Sequence, residues 1–203
     1  KAPEPLLLAD EKHYSVWNKP AGLLAQGSRE GDHCSLLRIA EQQLGREVYL
    51  VHRLDREASG LMLIAHNNKA AAALSALFAQ QDETALIRKI YQVTVKGVLP
   101  EQGSFTAVLD GKSAHTLYTR ELMNNDTQTS SARVELITGR KHQIRRHFAE
   151  AGFGVMGDPL YGSNNKNSEG LQLKAVSLEF VCPITKIKRL YQLPLNNNTD
   201  ASS

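Results

Sequence analysis

The sequence has few cysteines and no long apolar run. Its 203 residues include two cysteines, Cys34 and Cys182, which lie far apart and form no CxxC pattern. They argue against a disulfide framework and against a zinc site, and a reducing cytoplasm suits them best. No apolar stretch is long enough to cross a bilayer, and residues 6–8 are too few for the core of a signal peptide.

The excess of positive charge is small. Lys and Arg number 24 against 21 Asp and Glu, which gives a formal net charge of +3. Such a balance permits a polyanionic partner but does not require one. The hydrophobic fraction of 41% is typical of a folded globular protein, and the length suits one domain better than two.

The chain shows no internal repeat and no long linker. We therefore predict one domain over residues 1–195. The polar segment 196–203 has no apolar anchor and is predicted to be disordered.

Strand and helix signals are interspersed along the chain. Helix caps are predicted at Ser35, with Gly45 as the stop, and at Asn67 or Asn68, and a third helix is predicted over 142–151. Strands are predicted at 14–18, 61–65, 90–95, 132–137, 171–181 and 187–193. This order predicts a mixed α+β domain with a largely antiparallel sheet and flanking helices.

An acidic residue between two arginines is the strongest chemical signal. Residues 52–60 read HRLDREASG, which places Asp55 between Arg53 and Arg56. The opposite charges favour an ionised carboxylate, which suits a nucleophile or a proton acceptor better than a general acid. Taken alone, the string is more often a surface salt-bridge cluster.

Five motifs resemble those of RluA-type pseudouridine synthases, in the order found in that family. HRLDxxxSG is similar to the central signature, and the other four read NKPAG at 18–22, KIY at 89–91, TGRKHQIR at 138–145 and GDPLYG at 157–162. The resemblance spans most of the chain. It implies a pseudouridine synthase domain that isomerises uridine in ribosomal or transfer RNA without a cofactor.

The resemblance also implies roles for site residues. Asp55 would be the essential catalytic residue, and Arg145 would form an ion pair with it. Tyr91 would stack on the uracil flipped out of the RNA, although periodicity alone favours a tyrosine packed in the core. Arg53 would fill the space left by the base or hold a phosphate.

Further residues are predicted to bind the RNA or to support the site. Ile144 and Leu173 are candidates for the apolar residue beneath the base. Arg56, Arg140 and Lys141 are candidates for substrate binding, and a helix start rich in arginine attracts phosphate. Other members of the basic surface are Arg146, Lys186, Lys188 and Arg189, which could equally form a solvated face. The family mechanism uses no histidine, so His52 and His142 are interpreted as scaffold residues.

Members of the family often carry an S4-type RNA-binding module before the catalytic domain. Too few residues precede Tyr14 for such a module, and the chain begins with Lys1 rather than Met. We therefore expect that the catalytic domain selects its RNA alone, or that the module was removed.

Two other functions stay open beside the enzyme. One is an RNA-binding protein or RNA chaperone on the same fold, for which Asp55 would be dispensable. The other is a glycoside hydrolase using Asp55, although such enzymes usually need two carboxylates and no partner acid is evident in the five motifs. Nothing in the sequence requires a partner chain, so we expect a monomer.

Overall fold

The computed structural model describes residues 3–27, 35–82 and 86–194, which form ten strands and three helices. Cys34 and the predicted disordered tail at 196–203 lie outside the described residues. The strands are β1 (Leu6–Asp10), β2 (Tyr14–Lys19), β3 (Tyr49–Leu50), β4 (Ser59–Ala65), β5 (Ile87–Lys96), β6 (Gln102–Phe105), β7 (Thr116–Asn124), β8 (Thr129–Leu136), β9 (Leu173–Val181) and β10 (Lys188–Gln192). The helices are α1 (Leu36–Leu44), α2 (Asn68–Phe78) and α3 (Gln143–Glu150).

All these strands belong to one sheet. Its main path runs β1-β2-β4-β9-β5-β8-β7-β6, with β3 paired to β4 and β10 paired to β9. Neighbouring strands are antiparallel except β4 and β9, which run parallel where Ser59 and Gly60 face Lys174 and Ala175. The predicted α+β fold with a mixed, largely antiparallel sheet and flanking helices is confirmed.

Strand β4 is buried on both faces of the sheet. Leu61 and Leu63 pack in one apolar cluster with residues of α2, and Met62 and Ile64 pack in another with residues of α1. Coverage on both sides explains why this strand is a continuous apolar run and does not alternate. A third cluster joins β5, β7 and β8 to α3.

The ends of the first two helices follow local signals. The Ser35 side chain accepts a hydrogen bond from the Arg38 N–H, and Gly45 takes the left-handed conformation at the end of α1. Asn67 caps α2 in the same way through the Ala70 N–H. The third helix begins differently, because His142 precedes it with φ 52° and caps no N–H with its side chain.

Four strands were not predicted from the sequence: β1, β3, β6 and β7. Strand β3 has only two residues, and β1 is an edge strand whose Leu6 is 61% exposed. Strand β7 also lacks a clear alternation, since Leu122 is 73% exposed near its end. A half-exposed strand gives a weak periodic signal. In the described ranges, no helix is long and apolar enough to span a membrane.

We expect Gly60→Ala to destabilise the protein by about 3 kcal/mol. Gly60 has φ 120°, and a Cβ there would lie 2.2 Å from the carbonyl oxygen of Ala175 on β9. The clash would push β4 and β9 apart. Chemical denaturation measures the loss, with Gly45→Ala as the control, because Gly45 also has positive φ but nothing lies within 4 Å of the point that a Cβ would occupy there. Equal losses in the two variants would show that the contact with Ala175 does not matter.

Candidate active site

A cavity of about 430 Å³ opens where the β3–β4 loop, β5 and the start of α3 meet. Its lining includes all the predicted site residues except Arg56 and Lys141: Arg53, Asp55, Tyr91, Arg140, Ile144, Arg145 and Leu173. These residues come from four separate parts of the chain, and the sheet order β4-β9-β5-β8 brings those parts together.

Asp55 lies on the loop between β3 and β4, with its side chain 30% exposed. Arg145 Nη1 donates to Asp55 Oδ2 at 3.2 Å, so the ion pair implied by the resemblance is present in the structure. The other oxygen, Oδ1, lies 3.5 Å from His142 Nε2. The carboxylate therefore has a neighbour from the start of α3 at each oxygen and an open side toward the cavity.

Arg145 is fully buried and is held mainly by Asp158. Its Nε donates to Asp158 Oδ2 at 2.9 Å and its Nη2 donates to Asp158 Oδ1 at 2.7 Å. Burial alone would raise the pKa of Asp158, but the hydrogen bonds from Arg145 and from the backbone N–H groups of Leu160 and Tyr161 hold it below its usual value. A buried guanidinium needs such partners to stay charged without a large desolvation cost.

Tyr91 stands on β5 at the wall of the cavity. Its ring is half-buried and contacts two of the apolar clusters. Burial, and to a smaller degree the charge of Asp55, raises the pKa of its hydroxyl above the usual value. The phenol therefore stays protonated and offers a flat apolar face with one hydroxyl. Ile144 and Leu173 line the same cavity.

The NKPAG turn supports the loop that carries Asp55. Lys19 is fully buried, and its Nζ donates to the carbonyl oxygens of Pro20 at 3.0 Å, Leu23 at 2.7 Å and Arg56 at 3.2 Å. Burial lowers the pKa of Lys19 to about 8, although the nearby charge of Asp55 acts in the opposite direction. This lysine joins the NKPAG turn to the loop that carries Asp55 by donating to three carbonyls at once.

His52 is placed as a scaffold residue. Its Nε2 accepts a hydrogen bond from the Leu63 N–H at 2.9 Å, and its ring stacks on Phe78 at 3.9 Å. Burial, with the charge of Lys89 nearby, lowers the pKa of His52 to about 3. The imidazole is therefore neutral at physiological pH and anchors the start of the loop to β4.

Gln143 holds the loop between β8 and α3. Its Oε1 accepts from the Thr138 hydroxyl at 2.6 Å and from the Arg140 N–H at 3.0 Å. Its Nε2 donates to the His115 carbonyl at 3.0 Å and to the Thr116 hydroxyl at 2.9 Å. This network fixes the residues on either side of His142.

Several predicted basic residues lie away from the cavity or are already paired. The Arg56 side chain donates to the Gly22 carbonyl at 3.2 Å. Arg146 makes a two-bond pair with Asp110 at 2.9 and 3.1 Å, and the Lys188 ammonium lies 2.8 Å from Glu179. Arg140 lines the cavity, and Lys141 is exposed beside it.

Sequence reasoning assigned no role to Asp158, Gln143 or Lys19, and it gave His142 only a scaffold role. Each belongs to a motif that was recognised, but the motif letters carry no contact information. Asp158 lies thirteen positions after Arg145 in the chain, and no helical or strand periodicity places the two side chains together. Within the sequence, Asp158 is marked only as the acid of the GDPLYG turn, and nothing there links it to Arg145.

Residues 13–150 match the family model described as RNA pseudouridylate synthase. A protein of Vibrio parahaemolyticus named dual-specificity RNA pseudouridine synthase RluA is 33% identical, over 87% of this chain and 78% of that protein. One of Vibrio vulnificus named tRNA pseudouridine synthase C is 27% identical, over 89% of this chain and 86% of that protein.

Among solved structures, human RNA pseudouridylate synthase domain containing 1 shares the fold with a TM-score of 0.77. The two are 19% identical, and the match covers 95% of this chain and 84% of that chain.

Proposed function

The chain belongs to the RNA pseudouridylate synthase family, and on that premise we propose how its cavity isomerises uridine in RNA. The observation that carries the proposal is the carboxylate of Asp55, held by a buried arginine at the wall of a cavity large enough for a base. No other carboxylate lines that cavity among the described residues.

The reaction exchanges one bond to the sugar for another. The C–N glycosidic bond breaks, the uracil turns within the cavity, and carbon 5 bonds to the same sugar carbon. The hydrogen of carbon 5 leaves as a proton and the freed ring nitrogen gains one, so no electrons enter or leave. Asp55 supplies the negative charge for attack on the sugar or for removal of a sugar proton.

The cavity walls suit a flat, half-polar base. Tyr91, Ile144 and Leu173 offer apolar surface from three different elements. An enzyme that reacts at a base within structured RNA must first extrude that base, and aromatic and apolar side chains receive it. Arg53, which is exposed where it lines the cavity, is placed to replace the base in the stack or to hold its phosphate.

The RNA substrate is proposed from the named relatives. One is called a dual-specificity RNA pseudouridine synthase and another a tRNA pseudouridine synthase. We therefore propose ribosomal or transfer RNA as the substrate pool, in the cytoplasm. We further propose a monomer, because nothing in the sequence requires a partner chain. Sedimentation at assay concentration tests that proposal.

Tritium release tests the activity directly. RNA labelled at carbon 5 of uracil should release tritium to water when it is mixed with the protein, from the ribosomal or the transfer RNA pool. Free uracil in place of pseudouridine would favour the glycoside hydrolase. RNA binding without release from either pool would favour the RNA-binding protein.

Arg140→Ala and Lys141→Ala should each weaken RNA binding and lower the salt dependence of the binding constant by about one unit of slope. Arg140 is the arginine of the TGR segment and Lys141 follows it, at the edge of the cavity, where phosphates of a bound RNA would pass. Binding titrations over a range of salt concentrations give the slope. Lys188→Ala is the control, since Glu179 pairs with that lysine. An unchanged slope removes the tested residue from the RNA interface.

A further inference from the structure

His142 faces the oxygen of Asp55 that Arg145 leaves free. Arg145 Nη1 lies 3.2 Å from Oδ2, and His142 Nε2 lies 3.5 Å from Oδ1. His142 immediately precedes α3 and Arg145 follows three residues later, and both side chains reach Asp55. One helix start therefore presents a separate side chain to each oxygen of the carboxylate.

Tyr161 sets the direction of the imidazole. Its hydroxyl lies 2.9 Å from His142 Nδ1, and the two rings meet edge to face at 5.5 Å. The tyrosine is itself fixed, because Arg145 Cζ lies 5.3 Å from its ring centre and its N–H donates to Asp158 Oδ1. With Nδ1 held in this way, Nε2 must point toward Asp55.

The contacts select one form of the ring. A neutral imidazole carries one ring hydrogen. If that hydrogen is on Nε2, it points at Asp55 Oδ1, and the Tyr161 hydroxyl donates to Nδ1. If it is on Nδ1, a lone pair faces the carboxylate at 3.5 Å, which is unfavourable. Burial lowers the pKa of His142, with Arg145 and Lys141 acting the same way and Asp55 and Asp158 opposing, which favours the neutral ring.

The backbone is strained to hold His142 in place. His142 has φ 52° and ψ 33°, a left-handed conformation that costs a residue with a side chain about 1–2 kcal/mol. The hydrogen bonds of Gln143 hold the loop against this strain. Strain kept beside a cavity indicates that the orientation itself matters.

We propose that His142 is a positioning residue, which donates its Nε2 hydrogen to Asp55 Oδ1 and, with Arg145, fixes the plane of the catalytic carboxylate. This inference rests on the proposed function of Asp55. Holding both oxygens limits rotation about the Cβ–Cγ bond, so the remaining lone pairs point into the cavity. At 3.5 Å the contact of His142 is longer, and so weaker, than the 3.2 Å contact of Arg145.

The test compares His142→Ala, His142→Asn and Tyr161→Phe in tritium release, with kcat and KM measured separately. We expect His142→Ala to lower kcat about 10- to 100-fold with KM little changed. Asn tolerates the left-handed backbone and carries an amide donor, so His142→Asn should recover part of the lost rate. Tyr161→Phe should lower kcat when it is the only substitution. When it is combined with His142→Ala, it should lower kcat no further, because Tyr161 acts through the histidine.

Nitrogen NMR of histidine-labelled protein reads the ring directly. We expect a hydrogen on Nε2 and none on Nδ1 in the unchanged protein, and a loss of this preference in Tyr161→Phe. His13→Asn serves as the control for replacing a histidine outside the cavity, because His13 lies between β1 and β2 and does not line the cavity. This variant should leave the signals of the His142 ring unchanged. A ring with its hydrogen on Nδ1 would overturn the proposal.

Asp55→Asn in the same assay separates this inference from the proposed function. If the unchanged protein releases no tritium, the proposed function is wrong, and if Asp55→Asn and Asp55→Ala both release tritium at the full rate, the proposed role of Asp55 is wrong. If Asp55→Asn is inactive and His142→Ala keeps the full kcat, only the positioning role is wrong. Should His142→Ala fail to fold, Tyr161→Phe and the ring spectrum decide, since the phenylalanine ring keeps the contact with Arg145.

Discussion

Asp55→Asn should lower the rate of pseudouridine formation by about 10⁴-fold or more while the protein stays folded. The amide has nearly the same shape as the carboxylate but lacks the negative charge that the proposed reaction takes from Asp55. Arg145 keeps its two bonds to Asp158 in this variant, so no buried cation is left without a partner. Single-turnover tritium release measures the rate, and denaturation and RNA binding show that the rest of the protein is intact.

Glu57→Gln is the matched control for that experiment. Glu57 lies two residues along the same loop, and its Oε2 is 3.9 Å from Arg145 Nη1. The substitution removes the same charge from the same arginine, yet Glu57 does not line the cavity. We expect its rate to stay within a few-fold of the unchanged protein. Similar large losses in both variants would mean that local charge, and not the Asp55 carboxylate, drives the reaction. Asp55→Ala is measured as a second variant, because the amide of Asp55→Asn can hydrolyse slowly to aspartate and alanine cannot.

Asp158→Asn should destabilise the protein by about 3–5 kcal/mol and also reduce its activity. Asp158 is buried, and it is the two-bond partner of the buried Arg145. An amide can accept only one of those bonds, and its NH₂ group would face the guanidinium. The buried arginine then loses the negative charge of Asp158 and one of its two hydrogen bonds to that residue. Its position is less fixed, so its hydrogen bond to Asp55 weakens. Urea denaturation gives the stability, and tritium release gives the activity.

Asp110→Asn provides the comparison on the surface. Asp110 makes the same two-bond contact with Arg146, but its side chain is 66% exposed. Water replaces the lost bonds there, so the denaturation midpoint should not shift measurably. If the two variants lost equal stability, burial of the Arg145–Asp158 pair would not be the cause of the effect.

Local sequence signals predicted the parts of the fold that depend on a few neighbouring residues. Helix α1 begins after Ser35 and ends before Gly45, as predicted, because cap hydrogen bonds join residues three or four apart. Strand β7 was missed, because its stability comes from pairing with β6 and β8 and half of its side chains face solvent. Pairing over long distances leaves little trace in a single strand.

Most of the predicted residues line one cavity, but the pair of Asp55 and Arg145 was the one contact predicted among them. The pair of Asp55 and Arg145 joins positions 90 residues apart, and only the resemblance to a family suggested it. Flanking position was a poor guide, since Arg56 is next to Asp55 in the chain but its side chain turns to Gly22. Asp158 could not be recognised as the partner of Arg145 for the same reason, because the sequence does not show that the two side chains lie together in the fold.

The place of β9 in the sheet has a consequence for how the protein is made. Within the described residues, β9 (Leu173–Val181) lies between β4 and β5 and joins the sheet portion built from β1 to β4 to the portion built from β5 to β8. During synthesis, the edges of β4 and β5 that pair with β9 therefore stay unpaired until β9 has left the ribosome. Asp55 stands on the first portion and Tyr91 on the second, so the chain acquires its cavity only when its last third has been translated.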